Sequence, residues 1–342
     1  MPRTIRNSFD KHLSYEKLME AHLKSRKGKG CRKEIILFNL KQEEYIMWLY
    51  EQLKTMKYKH GGYTKFYVTE PKLRKIEKSR YIDRIVHRWL VDNFLAPAFV
   101  PQFIYTSFAC LKNKGMHRAC KYVQETMQHC KRIWNEYYIL KMDVAKYFDN
   151  IDKQILLKII RRKIKDEKLL WLIKEILYAQ PREKGLEIGN YTSQMFANIY
   201  LNEIDQYIKH ELKIKYYCRY LDDSIVIVKT KQEAKEALAK IQEFLRDNLK
   251  LELNKKTQIF KSKQGVNFCG YKINEYRLKI RDKGKRKLKK KVKKLKKQIK
   301  DGTLTSKEVK KYLAGHLGYI QIANVKNLTD KLFYNEDKIC RK

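Results

Sequence analysis

Glycine and proline are scarce in this chain, with 13 and 5 among 342 residues, so no segment has the composition of a long flexible linker. Long apolar runs are also missing: nowhere do about 18 apolar residues follow one another, as a membrane-spanning helix requires. The N-terminal sequence MPRTIRNSFDKHLSYEK lacks the apolar stretch of a signal peptide. We therefore expect a cytoplasmic protein with no membrane partner.

Cysteine pairs with metal-binding spacing are absent. The seven cysteines include no Cys-x-x-Cys pair, and Cys110, Cys120 and Cys130 recur every ten residues, which matches no common zinc-ligand spacing. We expect reduced and mostly buried thiols.

Acidic residues are few beside basic ones. The chain has 38 Asp and Glu against 78 Lys and Arg, which gives a formal net charge of +40. Such a chain repels itself unless a polyanion binds, so nucleic acid is the favoured partner, ahead of an anionic membrane surface. Because 43% of the residues are hydrophobic and 12% aromatic, the chain can fill a core, which argues against wholesale disorder.

Apolar periodicity predicts a mixture of helices and strands. Helical spacing covers residues 43–57, 82–95, 152–164, 168–178, 193–212 and 231–248. Strand signals occur at 63–78 around Pro71, at 137–143, and in YYCRYLDDSIVIV, QIF and NFCGYKI. Because several helices do not alternate with strands, we predict an α+β fold.

A strongly basic segment lies near the C-terminus. Residues 281–300 contain thirteen Lys and Arg and one Asp. Leu288, Val292, Leu295 and Ile299 form an apolar seam along this otherwise cationic helix. Because like charges one helical turn apart destabilise a solvated helix, we favour a phosphate-contacting surface over a merely solvated face.

Three aspartates are the candidate catalytic residues. Asp143 ends an apolar strand, and Asp222 and Asp223 lie at the tip of a hairpin. Each alone fits an ordinary cap or turn. Carboxylates about 4 Å apart repel by about 1 kcal/mol in water and about 4 kcal/mol at an effective dielectric constant of about 20. Two Mg²⁺ ions would relieve this repulsion and support in-line phosphoryl transfer to a 3′-hydroxyl. Since side chains alternate along a strand, we expect Asp222 to be the direct ligand and Asp223 to support it.

These motifs resemble those of reverse transcriptases along nearly the whole chain. The resembling segments are LKMDVAKYFDNID (first catalytic motif), RYLDDSIVIV (Tyr-x-Asp-Asp motif), VTEPKLRKIEKSRYIDRIVH (fingers), EIGNYTSQMFANIYLNEID (template and nucleotide motif), LELNKKT (lysine motif) and FCGYKI (primer grip). The resemblance implies a right-hand polymerase fold. Residues 1–135 would form an N-terminal extension and fingers, 136–265 the palm with a fingers–palm motif around 185–212, and 266–342 the primer grip and a basic helical thumb.

The resemblance also implies residue roles. Asp143, Asp222 and Asp223 correspond to the metal-binding triad, and Phe148 corresponds to the aromatic that excludes a ribose 2′-hydroxyl. Val144 would contact the metals, which are two Mg²⁺ ions with Mn²⁺ as an alternative, and Lys72 and Arg74 would contact the triphosphate. The dNTP would be contacted by Ile188, Gly189 and Gln194, and pyrophosphate would be protonated by Lys256 or its neighbour Lys255. The implied contacts with nucleic acid are Tyr220, Gly270, Tyr271, Lys289, Lys293 and Lys296. The plain alternatives are a core Phe148, a solvated hairpin at Lys72 and Arg74, and a buried strand residue at Ile188.

One branch of the family fits best, the reverse transcriptases of diversity-generating retroelements. The segments YTSFACLKNKGMHRAC and LAGHLGYIQIAN resemble that branch, and so does the run Ile188–Gln194, which has an aliphatic residue, then Gly, then Ser-Gln. Most reverse transcriptases have Gln-Gly and Ser-Pro there. The branch implies DNA synthesis that is error-prone opposite template adenines, a structured template RNA, a cDNA or primer strand and a small oligomeric accessory protein. Because an Ile side chain cannot replace the hydrogen bond of the usual Gln amide, we expect Ile188 to contribute to the errors.

Two other functions remain open from the sequence. One is an antiviral-defence or unclassified bacterial reverse transcriptase, and the other is a catalytically idle RNA-binding protein, which the presence of all three aspartates disfavours. No maturase, DNA-binding, endonuclease, RNase H or integrase segment is recognised after the thumb-like region, so we expect neither a self-mobile intron enzyme nor a retroviral one.

Overall fold

The computed structural model describes residues 4–69 and 73–333, which form helices and antiparallel sheets as the α+β prediction requires. The helices are α1 Phe9–His12, α2 Tyr15–Arg26, α3 Lys33–Leu40, α4 Gln42–Lys54, α5 Tyr81–Leu90, α6 Ala96–Phe99, α7 Met116–Trp134, α8 Tyr147–Asn150, α9 Lys153–Arg161, α10 Glu167–Leu177, α11 Tyr191–Gln206, α12 Lys231–Leu249, α13 Asp282–Lys300, α14 Ser306–Ile320 and α15 Lys326–Phe333. The strands are β1 Tyr63–Val68, β2 Arg74–Ser79, β3 Tyr138–Asp143, β4 Tyr216–Tyr220, β5 Asp223–Val228, β6 Gln258–Lys261, β7 Val266–Phe268, β8 Tyr271–Ile273 and β9 Leu278–Ile280.

The strands form three sheets. β1 and β2 make a two-stranded hairpin, the order β4-β5-β3-β6 makes a four-stranded sheet, and β7-β8-β9 makes a three-stranded sheet. The register of β4 and β5 pairs Tyr220 with Asp223, so Leu221 and Asp222 alone form the connecting turn. Strand β5 is buried from Ser224 to Val228, which explains its continuous apolar sequence.

The chain divides into two compact units. The first comprises Met1–Leu111, Asp143–Lys213 and Ala239–Lys255. In it α5 lies against α2 and α11. Trp89 is fully buried, with its ring edge-on to Phe9 and Phe94 at centroid distances of 5.4 and 5.0 Å. Asp166 caps α10 and also accepts hydrogen bonds from two backbone amides near the N-terminus, so this carboxylate joins α10 to α1.

The second unit comprises Lys112–Met142, Ile214–Leu238 and Lys256–Lys342. Helix α7 packs against β4 and β8. The buried Tyr137 hydroxyl donates to Glu275 at 2.6 Å. On α13, Leu288, Val292 and Leu295 are buried and Ile299 is half-buried, while Lys289 and Lys293 are exposed. The predicted apolar seam of this basic helix is therefore confirmed for its first three residues.

Most predicted elements form, with shifts at their ends that have local causes. The helix expected over 43–57 ends at Lys54, because Met56 adopts a positive φ of 57°. The segments expected to be helical over 82–95 and 193–212 each finish in a π-helical turn, at Val91–Leu95 and Tyr207–Glu211. Apolar periodicity did not predict helices α1–α3, α6–α8, α14 and α15. The domain boundaries expected from the sequence stay a prediction.

The cysteine prediction is confirmed in part. The six described cysteines form no disulfide with one another; Cys120, Cys130 and Cys218 are buried, Cys269 is half-buried, and Cys31 and Cys110 are exposed. In the ranges that the structure describes, no helix combines the length and the apolar character needed to cross a bilayer.

Candidate active site

The turn between β4 and β5 presents two adjacent carboxylates. Leu221 has a positive φ of 53°, and its carbonyl accepts a hydrogen bond at 3.1 Å from Nη1 of the buried Arg219. A non-glycine residue rarely adopts such a φ, so the arginine holds an uncommon turn in place. Asp222 and Asp223 are half-exposed at this tip, while the strand that follows is buried. The sequence thus places two charges at the rim of an apolar sheet.

Strand β3 borders β5 in the same sheet and ends at Asp143. Leu140 and Met142 are buried on one face of β3. On the other face the Lys141 ammonium forms an ion pair with Asp223, with Nζ 3.3 Å from Oδ1. About a quarter of each side chain of this pair is exposed, at 26% and 25%. One of the candidate metal ligands is therefore already held by a cation of the same sheet.

The backbone that follows Asp143 is fixed by the lysine motif. The Asn254 amide donates to the Asp143 carbonyl at 2.7 Å, and Val144 forms an antiparallel bridge with Leu253. Val144 is buried. Lys255 and Lys256 follow in an exposed turn. Because both are exposed, burial does not distinguish which of them would be the proton donor.

Phe148 lies in the short helix α8, which begins after Lys146 in a left-handed conformation with φ 44°. Its ring is half-buried and edge-on to Tyr147, 5.6 Å between centroids. The Phe148 carbonyl accepts a hydrogen bond at 2.7 Å from the amide of Leu186. This contact brings the segment that leads into Ile188 to the backbone of Phe148.

The segment Ile188–Asn190 is docked on β2. The amide of Glu77 donates to the Ile188 carbonyl at 3.1 Å. The buried Asn190 side chain accepts from the Ser79 amide at 3.1 Å and donates to the Glu77 carbonyl at 2.8 Å. Ile188 is half-buried in a turn, so the alternative interpretation of Ile188 as a buried strand residue is wrong.

Gly189 has a backbone conformation that only glycine adopts readily. Its φ is 115°, and a Cβ added there would lie 2.9 Å from Cγ2 of Ile76. The close approach of this turn to β2 therefore requires glycine at position 189.

A basic pocket lies beside this turn. Its volume is about 390 Å³. The lining residues come from α2 and the loop after it, from the β1–β2 hairpin, from α5 and from the start of α11; they are Ser25, Lys29, Arg32, Phe66, Ile76, Lys78, Arg84, His87, Arg88, Gly189, Tyr191 and Gln194. Five are cationic and none is acidic. We refer to this cavity as the basic pocket.

The positive charges of the basic pocket are only partly compensated. Glu34 pairs with Lys78 at 2.9 Å and with Arg84 at 2.8 Å. Asp92 lies 3.6 Å from Arg88. Burial lowers the pKa of Lys29, and the nearby guanidinium groups of Arg84, Arg32 and Arg88 lower it further. The field inside the pocket therefore favours an anion.

His87 is the one neutral basic side chain of the pocket. It is 1% exposed, and neither ring nitrogen has a hydrogen-bond partner among the described residues. Burial holds the pKa of this histidine well below its usual value, with smaller contributions from His60 and Arg84. The ring of His60 stacks on it at 5.3 Å. A neutral ring with an unsatisfied N–H can donate to an anionic oxygen without carrying a charge of its own.

The candidate primer-grip residues lie in the three-stranded sheet. Cys269 and Gly270 form the two-residue turn between β7 and β8, with φ values of 46° and 89° as in a type I′ turn. Tyr271 is buried, and its hydroxyl lies 3.1 Å from Nε2 of His117. Tyr220, at the end of β4, is half-buried.

The remaining predicted site residues are exposed or half-buried where the structure describes them. Arg74 is the exposed first residue of β2, opposite Val68. Lys72 lies outside the described residues. Gly189 and Gln194 line the basic pocket, whereas sequence reasoning missed its other cations. A usable signal existed in the segment 26–33, RKGKGCRK, and in Arg84 and Arg88, which are one helical turn apart on α5.

The carboxylates at the hairpin tip have the chemistry that Mg²⁺ prefers. Among the described residues, no three His, Cys, Asp or Glu side chains are gathered closely enough to hold a metal ion by themselves. Protein-bound Mg²⁺ commonly takes one or two carboxylates and completes its octahedral shell with water and substrate phosphates. Asp222 and Asp223 therefore fit an ion that also binds a nucleotide triphosphate.

Comparisons with known proteins give relatives over most of the chain. YkfC of Escherichia coli is 26% identical over 244 residues, covering 59% of this chain and 63% of that protein. The group II intron-encoded protein LtrA of Lactococcus lactis is 25% identical over 305 residues, covering 68% of this chain and 50% of LtrA. The chain thus spans less than two thirds of these relatives.

Among solved structures, a telomerase from Candida albicans has a similar fold. The TM-score is 0.50 at 12% sequence identity, covering 71% of this chain and 50% of the telomerase chain. This likeness confirms the predicted polymerase fold. The family described as reverse transcriptase (RNA-dependent DNA polymerase) matches residues 64–273, which is more than half of the chain. The chain belongs to the reverse transcriptase family.

Proposed function

We propose that this protein is an RNA-directed DNA polymerase that extends a DNA 3′-hydroxyl on an RNA template. The observation that carries the proposal is the ion pair between Lys141 of β3 and Asp223 at the hairpin tip. Side chains two apart on a strand share a face, so we assign Asp143 to the same face of β3 as Lys141. Together with the family match, this favours convergence of Asp143 with Asp222 and Asp223.

Each residue at this site has a distinct task in the proposal. Asp143 and Asp222, with the Val144 carbonyl, would hold two Mg²⁺ ions, which neutralise charge on the attacking and leaving oxygens when bound. Mn²⁺ has the same preference for carboxylate oxygens. Lys141 limits the repulsion between Asp223 and its neighbours before substrate binds. We assign the triphosphate contacts to Arg74 and, as the resemblance implies, to Lys72, and we assign protonation of pyrophosphate to Lys256 or Lys255.

We assign the basic pocket to the phosphate backbone of the single-stranded template. Gly189 and Gln194, predicted as nucleotide contacts, line this pocket with cations of α2 and α5. A single strand offers one phosphate per nucleotide, and cationic grooves follow such backbones without reading sequence. His87, with an unsatisfied ring N–H, would complete the coordination of one phosphate.

Replacing Lys29 and Arg32 together by Gln is expected to lower the affinity for single-stranded RNA. It should also make that affinity less sensitive to the salt concentration. The slope of log K against log salt is negative, and each lost phosphate contact reduces its magnitude by about 0.7. The slope of the double variant should therefore be less steep by about 1.4. Fluorescence anisotropy over a KCl series measures both quantities. The matched control is Lys17→Gln with Lys41→Gln, two exposed lysines paired with Glu20 and Glu44. An unchanged slope in the Lys29/Arg32 variant would remove the template from this pocket.

The biological role that we propose is the diversification of a target gene by a diversity-generating retroelement. The run Ile188–Gln194 supports this branch, and Ile188 is half-buried in a turn with an apolar side chain. In this role the partners are a structured template RNA, a cDNA or primer strand, dNTPs and a small oligomeric accessory protein. Near-identical template and variable repeats beside the gene, with an adjacent accessory gene, would distinguish this role from antiviral defence.

The variant Ile188→Gln is expected to lower misincorporation opposite template adenine several-fold. The amide would restore a hydrogen bond near the incoming nucleotide, which contributes about 1 kcal/mol. Sequencing of cDNA made on one RNA template gives error frequencies at all four bases. Ile188→Leu, which changes shape without adding a polar group, is the control. Equal adenine error frequencies in Ile188→Gln and the wild type would exclude Ile188 as a source of the errors.

A primer-extension assay tests the enzymatic proposal. The full chain with Mg²⁺, dNTPs and a DNA primer annealed to RNA should give full-length cDNA, and EDTA should stop the synthesis. RNA binding without any extension, in Mg²⁺ or Mn²⁺, would instead support the catalytically idle RNA-binding protein.

A further inference from the structure

Two residues of the segment LAGHLGYIQIAN, Tyr319 and Asn324, fasten the chain at and just after the end of helix α14 to the β7–β8–β9 sheet. The Tyr319 hydroxyl donates to the Gly270 carbonyl at 2.6 Å, and the Tyr271 hydroxyl donates to the Tyr319 carbonyl. The two tyrosine rings stack at a centroid distance of 4.8 Å and an interplanar angle of 28°. Each tyrosine therefore donates to the backbone of the other's segment, and the stacking adds to both hydrogen bonds.

Asn324 makes a second connection, at the other edge of the sheet. The backbone amide of Asn324 donates to the Leu278 carbonyl at 2.7 Å, and its side-chain oxygen accepts from the Leu278 backbone amide at 2.8 Å. Tyr319 thus holds the turn before β8, and Asn324 holds the first residue of β9. Four hydrogen bonds fix the sheet to residues 319–324, which we call the clasp.

The Cys269–Gly270 turn lies so close to the Tyr319 hydroxyl that a side chain at position 270 would not fit. A Cβ added to Gly270 would lie 2.7 Å from the Tyr319 hydroxyl oxygen. Gly284, near the start of α13, is also adjacent: its added Cβ would lie 3.5 Å from the Tyr319 ring. One tyrosine thus contacts both the Cys269–Gly270 turn and the first turn of the basic helix α13. Burial raises the pKa of Tyr319, so its hydroxyl stays a donor at neutral pH.

We propose that Tyr319 and Asn324 are positioning residues that set how tightly the enzyme holds the end of the strand it extends. They act through Gly270 and Tyr271, so the inference rests on the proposed function and on the expectation, implied by the resemblance of FCGYKI to the primer grip, that the β7–β8 turn contacts the primer. Neither residue touches the reacting atoms. With the clasp intact, the turn and the cationic face of α13 keep one spacing, and the primer duplex meets a preformed surface. Without it, the turn moves independently of α13, and the duplex dissociates sooner.

The variant Tyr319→Phe removes the hydrogen bond to Gly270 and keeps the stacked ring. It should raise the dissociation constant of a primer–template duplex by about three- to tenfold, the effect of one net hydrogen bond. The number of nucleotides added per binding event, measured with a heparin trap, should fall by a similar factor. The single-turnover rate constant with saturating dNTP should stay within about twofold of the wild type, because the acting carboxylates are untouched. Asn324→Ala should behave in the same way.

The matched control is Tyr312→Phe on the same helix. Tyr312 is 52% exposed, and its ring lies under Lys291, a contact that Phe preserves. The proposal is overturned if Tyr319→Phe and Asn324→Ala bind and extend like the wild type. It is also overturned if melting temperature, duplex affinity and single-turnover rate all fall in parallel, which a merely structural role would produce. Failure of the wild type to extend any primer would contradict the proposed function instead, and anisotropy binding would still test the clasp.

Discussion

Asp222→Asn is expected to lower the rate of primer extension about a thousandfold or more. Asparagine keeps the size of the side chain but removes the negative charge that would bind Mg²⁺. Charge stabilisation by a bound metal contributes several kcal/mol, and about 4 kcal/mol corresponds to about a thousandfold. Since Asp222 is half-exposed at a turn, its loss should not lower the melting temperature. Single-turnover extension of a radiolabelled primer on RNA measures the rate.

A graded series separates the direct ligand from the supporting one. Asp223 is paired with Lys141, so Asp223→Asn should reduce the rate less than Asp222→Asn does. Asp247→Asn is the matched control, because Asp247 is an exposed aspartate of α12 that pairs with Arg246. Extension by Asp222→Asn at more than a tenth of the wild-type rate would rule out Asp222 as an essential metal ligand.

The largest change in substrate selection is expected from Phe148→Ala. The half-buried ring lies in α8, five residues after Asp143, and would occupy the space of a ribose 2′-hydroxyl. Steric exclusion of a small group discriminates by about ten- to two-hundredfold, so the preference for dNTP over rNTP should fall by that factor. Single-nucleotide incorporation with dCTP and CTP, compared by kcat/KM, measures the ratio.

Tyr147→Phe serves as the neighbouring control for this series. Tyr147 is buried, and its hydroxyl donates to the Ala197 carbonyl at 2.5 Å, so this change removes a buried hydrogen bond without opening the space beside Phe148. Its dNTP preference should match the wild type, even if its melting temperature falls. If Phe148→Ala still rejects CTP as strongly as the wild type does, then Phe148 is an ordinary packing residue.

The sequence predicted what depends on local pattern. Alternating and helical periodicity predicted β3, the β4–β5 hairpin and helices α4, α5 and α9–α13, because each needs only a contiguous apolar face. The spacing of Leu288, Val292 and Leu295 likewise predicted the buried seam of α13, since one helix face is defined by sequence alone.

Contacts between distant segments were not predictable. Lys141 and Asp223 are 82 positions apart, and nothing in either segment indicates that the lysine faces the hairpin tip. The basic pocket needs α2, β2, α5 and the turn at Gly189 together, so the basic segment 26–33 by itself does not reveal that a pocket forms there. The clasp is a further case, because Tyr319 and Gly270 are 49 residues apart. Such contacts follow from tertiary packing, which single-sequence periodicity does not encode.

Iron-directed cleavage tests most directly whether three distant carboxylates share metal ions. The full chain bound to primer, RNA template and dNTP is loaded with Fe²⁺ in place of Mg²⁺, and ascorbate with peroxide then generates radicals at the bound metal. If the three carboxylates share metal ions, we expect backbone cuts near both Asp143 and the Asp222–Asp223 turn, both suppressed by excess Mg²⁺ and lost in Asp222→Asn. Cuts at the hairpin turn without cuts near Asp143 would contradict it.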